Sequence, residues 1–241
     1  MTTHSRRAGR LATAITIALV LAGVAQATVW NPAAEWQSEN YNNPLNSRWS
    51  FMGSTLDSGG ALIVMANNIY ATGKRGWTIS CNEGHGWGEQ YWSPRFIRNF
   101  GASDTVYTER EWTFESDWST TVPVYAPVGT IVVGGNASYI SQNSAAMRWT
   151  APSNGLYQVT LSFAGATTSG TSANVALKLD GASQWTETIS AYQQKKSYTH
   201  KFNLTTGQKL DAVVMGKDFV TMDYSITDTV SRKGGTVFCL K

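Results

Sequence analysis

The sequence predicts an all-β chain whose antiparallel strands pack as a sandwich, with long loops in the N-terminal half. Three observations predict it. Only 15% of residues are charged, while glycine numbers 22 and tryptophan and tyrosine 10 each, a composition that suits turn-rich strands better than a helical bundle. From Tyr125 onward, short apolar-alternating segments follow one another at close intervals. The breaks between them, Pro152-Ser153-Asn154-Gly155, Asp180-Gly181 and Thr206-Gly207, are turn signals that fit antiparallel pairing rather than βαβ crossovers.

The first element is a leader. Residues 1–10 are basic, 11–23 are apolar, and Ala25-Gln26-Ala27 supplies the small-x-small site of a signal peptidase. Residues 1–27 are therefore expected to be a signal peptide and the mature chain to begin at Thr28. The apolar stretch is short for a membrane span, and the longest later apolar run is 61–66, so no span after processing is expected. Ser5-Arg6-Arg7 hints at twin-arginine export, although the general secretory route ranks ahead. The expected location is secreted and extracellular, with periplasm or cell surface open.

Charge excludes one class of partner. Three of the 19 basic residues, Arg6, Arg7 and Arg10, sit in the leader, and the rest equal the 16 acidic ones. A balanced surface provides no concentrated basic field, so no nucleic-acid partner is expected.

Residues 28–241 are expected to form a single β-sandwich domain, irregular over 28–123 and strand-rich over 124–241. In the first half, 48–53, 61–66, 76–81, 95–100 and 106–114 read as strands separated by loops. In the second, the expected strands are 129–133, 145–150, 156–164, 173–180, 184–191, 198–204, 210–215, 220–226 and 235–240. Alternation places Tyr157, Val159, Leu161 and Phe163 on one buried face, and Val175, Leu177 and Leu179 on another. Asp211 and Asp223 interrupt apolar strands, where each is expected to face solvent or to accept backbone N–H groups. His200 reads as a solvated position on an edge strand, and Lys195-Lys196 as a charged turn.

Cys81 and Cys239 are the only cysteines. In an exported chain they are expected to pair as a disulfide, closing a loop of roughly 160 residues worth ~4 kcal/mol in the chain-entropy model. They cannot make a zinc site alone, and no DxDxDG calcium spacing exists, so neither metal nor cofactor is expected.

Four stretches resemble a known group. Arg148, Trp149, Thr150, Ala151, Pro152, Gly155, Tyr157 and Val159 fit an RWTAP-x-x-G-x-Y-x-V pattern that is similar to the entry strand pair of jelly-roll modules in secreted bacterial proteins. Leu204, Gly207, Leu210, Asp211 and Val214, and then Phe219, Asp223 and Ile226, resemble the strands that follow there, although Gln208 stands where that group has Asp. Asn43, Pro44, Trp49, Ser50 and Gly53 resemble its NPNG-x-WSYG segment. The resemblance implies an antiparallel jelly-roll β-sandwich of the galactose-binding-like kind, a fold shared by many carbohydrate-binding modules, and names no ligand.

The densest chemistry lies in 81–94, where Glu83, His85, Trp87, Glu89, Gln90, Tyr91 and Trp92 alternate with glycines. As a sugar platform, Trp87, Tyr91 and Trp92 stack on a pyranose face while Glu83, Glu89 or Gln90 bond its hydroxyls. As packing, the same rings cap one end of the sandwich, and this reading ranks first. A metal or hydrolase centre from Glu83, His85 and Glu89 ranks last. No GxSxG, HExxH or Walker pattern occurs, and no acid stands in a glycosidase motif, so no catalytic residue is assigned. The leading expectation is a non-catalytic carbohydrate-binding module. Behind it stand a structural or adhesive surface protein that self-associates or binds envelope polymer, and then a small secreted hydrolase.

Overall fold

The computed structural model describes residues 27–36, 48–54, 61–65, 67–71, 74–78, 94–112, 119–134, 144–216 and 218–229. The strands are β1 (Val29–Trp30), β2 (Trp49–Gly53), β3 (Ile63–Val64), β4 (Asn67–Ala71), β5 (Lys74–Thr78), β6 (Arg95–Asn99), β7 (Thr105–Trp112), β8 (Ser119–Ala126) and β9 (Ile131–Gly134). They continue as β10 (Ser144–Thr150), β11 (Gly155–Gly165), β12 (Ala173–Leu179), β13 (Ala182–Ile189), β14 (Lys195–Leu204), β15 (Lys209–Met215) and β16 (Phe219–Asp228). One turn of helix, α1 (Pro32–Glu35), is capped by the Asn31 side chain, which accepts the Ala34 N–H at 3.0 Å.

Two antiparallel sheets form the expected jelly-roll β-sandwich. The first runs β14-β11-β16-β9-β6-β5-β4, with β1 alongside β16; the second runs β13-β12-β15-β10-β2-β3. Their inner faces meet in one core. Tyr157, Val159, Leu161 and Phe163 from β11 pack with Val220, Met222, Tyr224 and Ile226 from β16 against Met147, Trp149, Val175, Leu177, Leu210 and Val214 of the opposite sheet. Each such side chain contributes roughly 1.5–3 kcal/mol on full burial, which is how a turn-rich chain offsets its ordering entropy.

The motif residues act at the strand junctions. The Tyr157 hydroxyl donates to the Ser153 carbonyl at 2.9 Å, the Asn154 side chain accepts the Thr206 N–H at 2.8 Å, and the Gly207 N–H reaches the Ala151 carbonyl. The first bond braces the β10–β11 turn against its own strand, and the other two tie that turn to the β14–β15 turn. Between β12 and β13, Asp180 and Gly181 both take positive φ, 47° and 85°, as a two-residue hairpin requires.

Several expectations need correction. Pro123, expected to end the irregular half, lies inside β8. That strand forms a two-stranded ribbon with β7 and otherwise makes only an isolated bridge, Val124 to Thr167, so the missing N–H breaks no central ladder. Val122, Val124 and Ala126 of this ribbon cover Ile97, Val132 and Phe219 on the outer face of the first sheet. Buried Asn99 fastens the ribbon's end, donating to the Ala126 and Ser103 carbonyls and accepting from Gly101 N–H and the Tyr107 hydroxyl. The β4 and α1 segments carry no sequence expectation, and within 61–65, the described part of the expected 61–66 strand, only Ile63–Val64 are strand.

Asp211 neither faces solvent nor collects backbone donors: it is 2% exposed and bound side-on by Arg148, with Nε–Oδ1 at 2.8 Å and an end nitrogen to Oδ2 at 2.9 Å. The two stand directly opposite in the β10–β15 register. Asp223 is exposed, as expected. Lys195-Lys196 opens strand β14 instead of forming a turn.

Candidate functional site

The residues singled out from sequence, Glu83, His85, Trp87, Glu89, Gln90, Tyr91 and Trp92, lie outside the described residues, as do Cys81 and Cys239. Among the described residues, no three His, Cys, Asp or Glu side chains converge to hold a metal ion, and no helix is long and apolar enough to cross a membrane. A different cluster stands out, on the flank where the two sheets end.

Strands β13 and β14 are consecutive in the chain and terminal in their respective sheets. Register decides which side chains they turn inward. Phe202, His200, Tyr198 and Lys196 of β14 stand opposite Tyr157, Val159, Leu161 and Phe163 of β11, so they share the core-facing side. On β13, Trp185, Glu187 and Ile189 stand opposite Leu177, Val175 and Ala173. The flank is thus lined by two facing rows, from opposite sheets.

Phe202 and Ile189 are buried, Trp185 and Tyr198 are half-buried, and His200 is exposed. Four rings form a near-parallel series, and Phe202 closes it edge-on to His200 at 4.8 Å and 70°. Phe163 and Trp185 lie 6.4 Å apart at 6°, Trp185 and Tyr198 5.6 Å apart at 25°, and Tyr198 and His200 6.0 Å apart at 29°. Such separations belong to offset rather than face-on stacks. Beside the rings, Lys196 Nζ meets Glu187 Oε2 at 2.9 Å, each side chain about one-third exposed at 32% and 39%. Burial raises the Tyr198 phenol above its ordinary value, and its hydroxyl, protonated at neutral pH as any phenol is, can both donate and accept.

This arrangement offers aromatic faces, one carboxylate, one ammonium, one imidazole and one phenol along a single open edge. The sequence expectation for His200 is half met, since it is exposed on an edge strand, but its ring joins the aromatic series rather than standing free in solvent. Trp185 and Tyr198 carry no functional expectation from sequence. Their signal is present as i, i+2 spacing within 184–191 and 198–204, but only the pairing register shows that both rows meet.

No family model matches the chain, and no curated protein matches it. Solved structures similar to it include CBM35 from Cellvibrio japonicus Abf62, 19% identical with a TM-score of 0.27, covering 39% of this chain and 71% of that one. The CBM36-1 domain of a multidomain xylanase from the hindgut metagenome of Trinervitermes trinervoides is 14% identical, with a TM-score of 0.28 and coverage of 54% and 91%. A family 35 carbohydrate binding module from Clostridium thermocellum is 15% identical, with a TM-score of 0.27 and coverage of 52% and 98%. At these scores the fold assignment rests on the chain's own two sheets.

Proposed function

We propose that this protein is an exported, non-catalytic carbohydrate-binding module whose binding surface includes the β13–β14 flank. The observation that carries this reading is the offset, near-parallel row of Trp185, Tyr198 and His200 at a half-open edge, with Glu187 and Lys196 beside it. Offset ring faces suit the C–H face of a pyranose, and the charged pair supplies hydroxyl partners. Each stack contributes about 1 kcal/mol beyond area burial, so affinity falls in the micromolar to millimolar range. The loop residues Trp87, Tyr91 and Trp92, with Glu83, Glu89 and Gln90, are kept as a second proposed locus, and the Cys81–Cys239 disulfide remains part of the proposal.

The alternative of an adhesive, self-associating protein draws on the same edge. Lys195, Lys196 and Lys201 along β14 oppose it, because lysine on an edge strand disfavours pairing with a second copy. Electrophoresis of the purified protein through gels containing soluble polysaccharides tests the proposal. Retardation by at least one neutral glycan, lost in Trp185→Ala and Tyr198→Ala, is expected. Equal mobility of wild type and both variants in a retarding gel would remove the flank from the site.

A further inference from the structure

The turn that joins β13 to β14, residues 190–194, rests on β11 beside the flank. Phe163, which stacks on Trp185, and Gly165 are consecutive positions on one side of β11, and the turn lies on the second of them. The Gln193 N–H donates to the Gly165 carbonyl at 2.9 Å, and the Gly165 N–H donates to the Gln194 carbonyl at 3.1 Å. Only glycine permits this approach, because a Cβ there would lie 2.2 Å from the Ala191 carbonyl oxygen. Within the turn Gln193 takes a left-handed φ of 59°, and Gln194 Oε1 accepts the Ser190 N–H at 2.6 Å. A non-glycine residue keeps that conformation only where its surroundings hold it, as these bonds do.

The residues that follow Gly165 hold the β7–β8 ribbon. The Ala166 carbonyl accepts the Tyr125 N–H at 2.8 Å, and the Thr168 N–H reaches the Pro123 carbonyl at 2.9 Å. Val122, Val124 and Ala126 turn toward the first sheet, so Pro123 and Tyr125 face outward. Gly165 and Ala166 thus bring Tyr192 and Tyr125 together, edge to face with ring centroids 6.3 Å apart at 83°. Both rings are half-buried. Val106 stands directly opposite Tyr125 and is 56% exposed, and Val128 is 45% exposed. Asp104 joins the group, its carboxylate accepting the Tyr125 hydroxyl and the Val128 N–H, while the Tyr192 hydroxyl accepts from Gln193 Nε2.

We propose that the Tyr125–Tyr192 patch is a second contact locus for the glycan of the β13–β14 flank, so that the ligand is a stretch of polysaccharide several sugar units long rather than a single terminal sugar. The inference rests on the reading of that flank as a carbohydrate surface. Continuity supports it, since Tyr192 is four residues from Lys196, a reach of no more than roughly 14 Å, and Lys196 already pairs with Glu187 within the flank. Chemistry supports it as well. An edge-to-face contact occupies one face of one ring, which leaves apolar surface on the part-exposed rings and two valines for sugar C–H groups. The Tyr192 hydroxyl, the Gln193 amide and the remaining lone pairs of Asp104 supply partners for sugar hydroxyls. A second copy of this chain fits less well: a two-fold contact centred on the patch would bring two Asp104 carboxylates into one interface, and none of the patch residues is basic.

The test is calorimetric titration of the purified protein with cello-, xylo- and mannooligosaccharides of two lengths, disaccharide and hexasaccharide. At least one hexasaccharide is expected to bind about fivefold or more tighter than its disaccharide. Tyr192→Ala should bring the hexasaccharide down to the disaccharide level and leave the disaccharide unchanged, whereas Tyr192→Phe, which keeps the ring, should retain most of the gain. Trp185→Ala should weaken both lengths. In the wild-type protein, nuclear magnetic resonance should show the Tyr125 and Tyr192 ring signals shifting with the hexasaccharide and not with the disaccharide, a readout that needs no variant to fold. Equal affinity for the two lengths, or a full gain surviving in Tyr192→Ala, overturns this inference and leaves the flank in place. Loss in Tyr192→Ala with Trp185→Ala unaffected overturns the flank reading instead, and no binding of any probe removes both. A concentration-dependent dimer abolished by Tyr192→Ala, with hexasaccharide binding unaltered, assigns the patch to a second copy and also overturns the proposal.

Discussion

Two aromatic groups in this molecule are built from similar residues and do opposite things. In the interior, Trp49, Trp149, Tyr157 and Tyr224 meet at steep angles: Trp149–Tyr157 at 67° and Trp49–Tyr224 at 72°. On the flank, successive planes along Phe163, Trp185, Tyr198 and His200 differ by only 6° to 29°, and the series ends where His200 meets Phe202 at 70°. Rings enclosed on every side tilt so that edges fill the faces of their neighbours, and no face is left over. Trp185, Tyr198 and His200, lined up along two edge strands beyond buried Phe163, keep a shared orientation, and all three remain partly exposed. The interior group holds the sandwich together, whereas the flank group is positioned by it.

Substitutions should separate the two groups. Trp149→Ala removes a fully buried ring and is expected to destabilise by roughly 3–5 kcal/mol in urea unfolding. A loss below about 1 kcal/mol would place Trp149 outside the supporting core. Asp211→Ala leaves the Arg148 guanidinium without its partner between β10 and β15, for a loss of about 3 kcal/mol. The same denaturant curves check it, and the double variant Arg148→Met with Asp211→Leu should recover most of that loss. Trp185→Ala sits below both, at about 1 kcal/mol, because the ring is only half-buried. Its main effect should be loss of polysaccharide retention. If it unfolds the protein instead, the flank is a core extension and the comparison fails.

The smallest effect at neutral pH belongs to Tyr224→Phe. Burial, with Asp211 nearby as the second cause, holds the Tyr224 hydroxyl protonated well above the ordinary phenol range. A folded-state pKa above the unfolded value of about 10 means the contribution is intact below pH 10 and is lost as pH rises past it. Tyr224→Phe should therefore flatten the alkaline fall in stability while changing the neutral value by less than about 1 kcal/mol. An unchanged alkaline slope would show that the phenol ionises without unfolding the sandwich.

Strand alternation makes much of the β11-to-β16 region legible in the amino-acid sequence. Tyr157, Val159, Leu161 and Phe163 lie on the buried face that the period of two assigns, and Asp180-Gly181 makes the hairpin its residue types require. The misses share a cause. The irregular half is drawn to end at 123 because sequence cannot show that β8 runs on through Pro123 in a two-stranded ribbon with β7. Asp211 reads as a solvent-facing or backbone-bonded carboxylate because its partner, Arg148, is 63 residues away and meets it only through the β10–β15 register. The flank is hidden for the same reason, since nothing local says that the inward rows of β13 and β14 face one another. Local chemistry at 81–94 is conspicuous, but composition alone cannot distinguish a binding loop from a packing one.

The most direct test maps the bound surface. An oligosaccharide of whichever glycan retards the wild-type protein is titrated into isotope-labelled chain while all tryptophan indole signals are followed. The account predicts a saturable shift of the Trp185 indole, accompanied by Tyr198 and His200, with Trp49 and Trp149 still. Shifts confined to Trp87 and Trp92 with Trp185 unmoved would contradict it and assign binding to the loop instead.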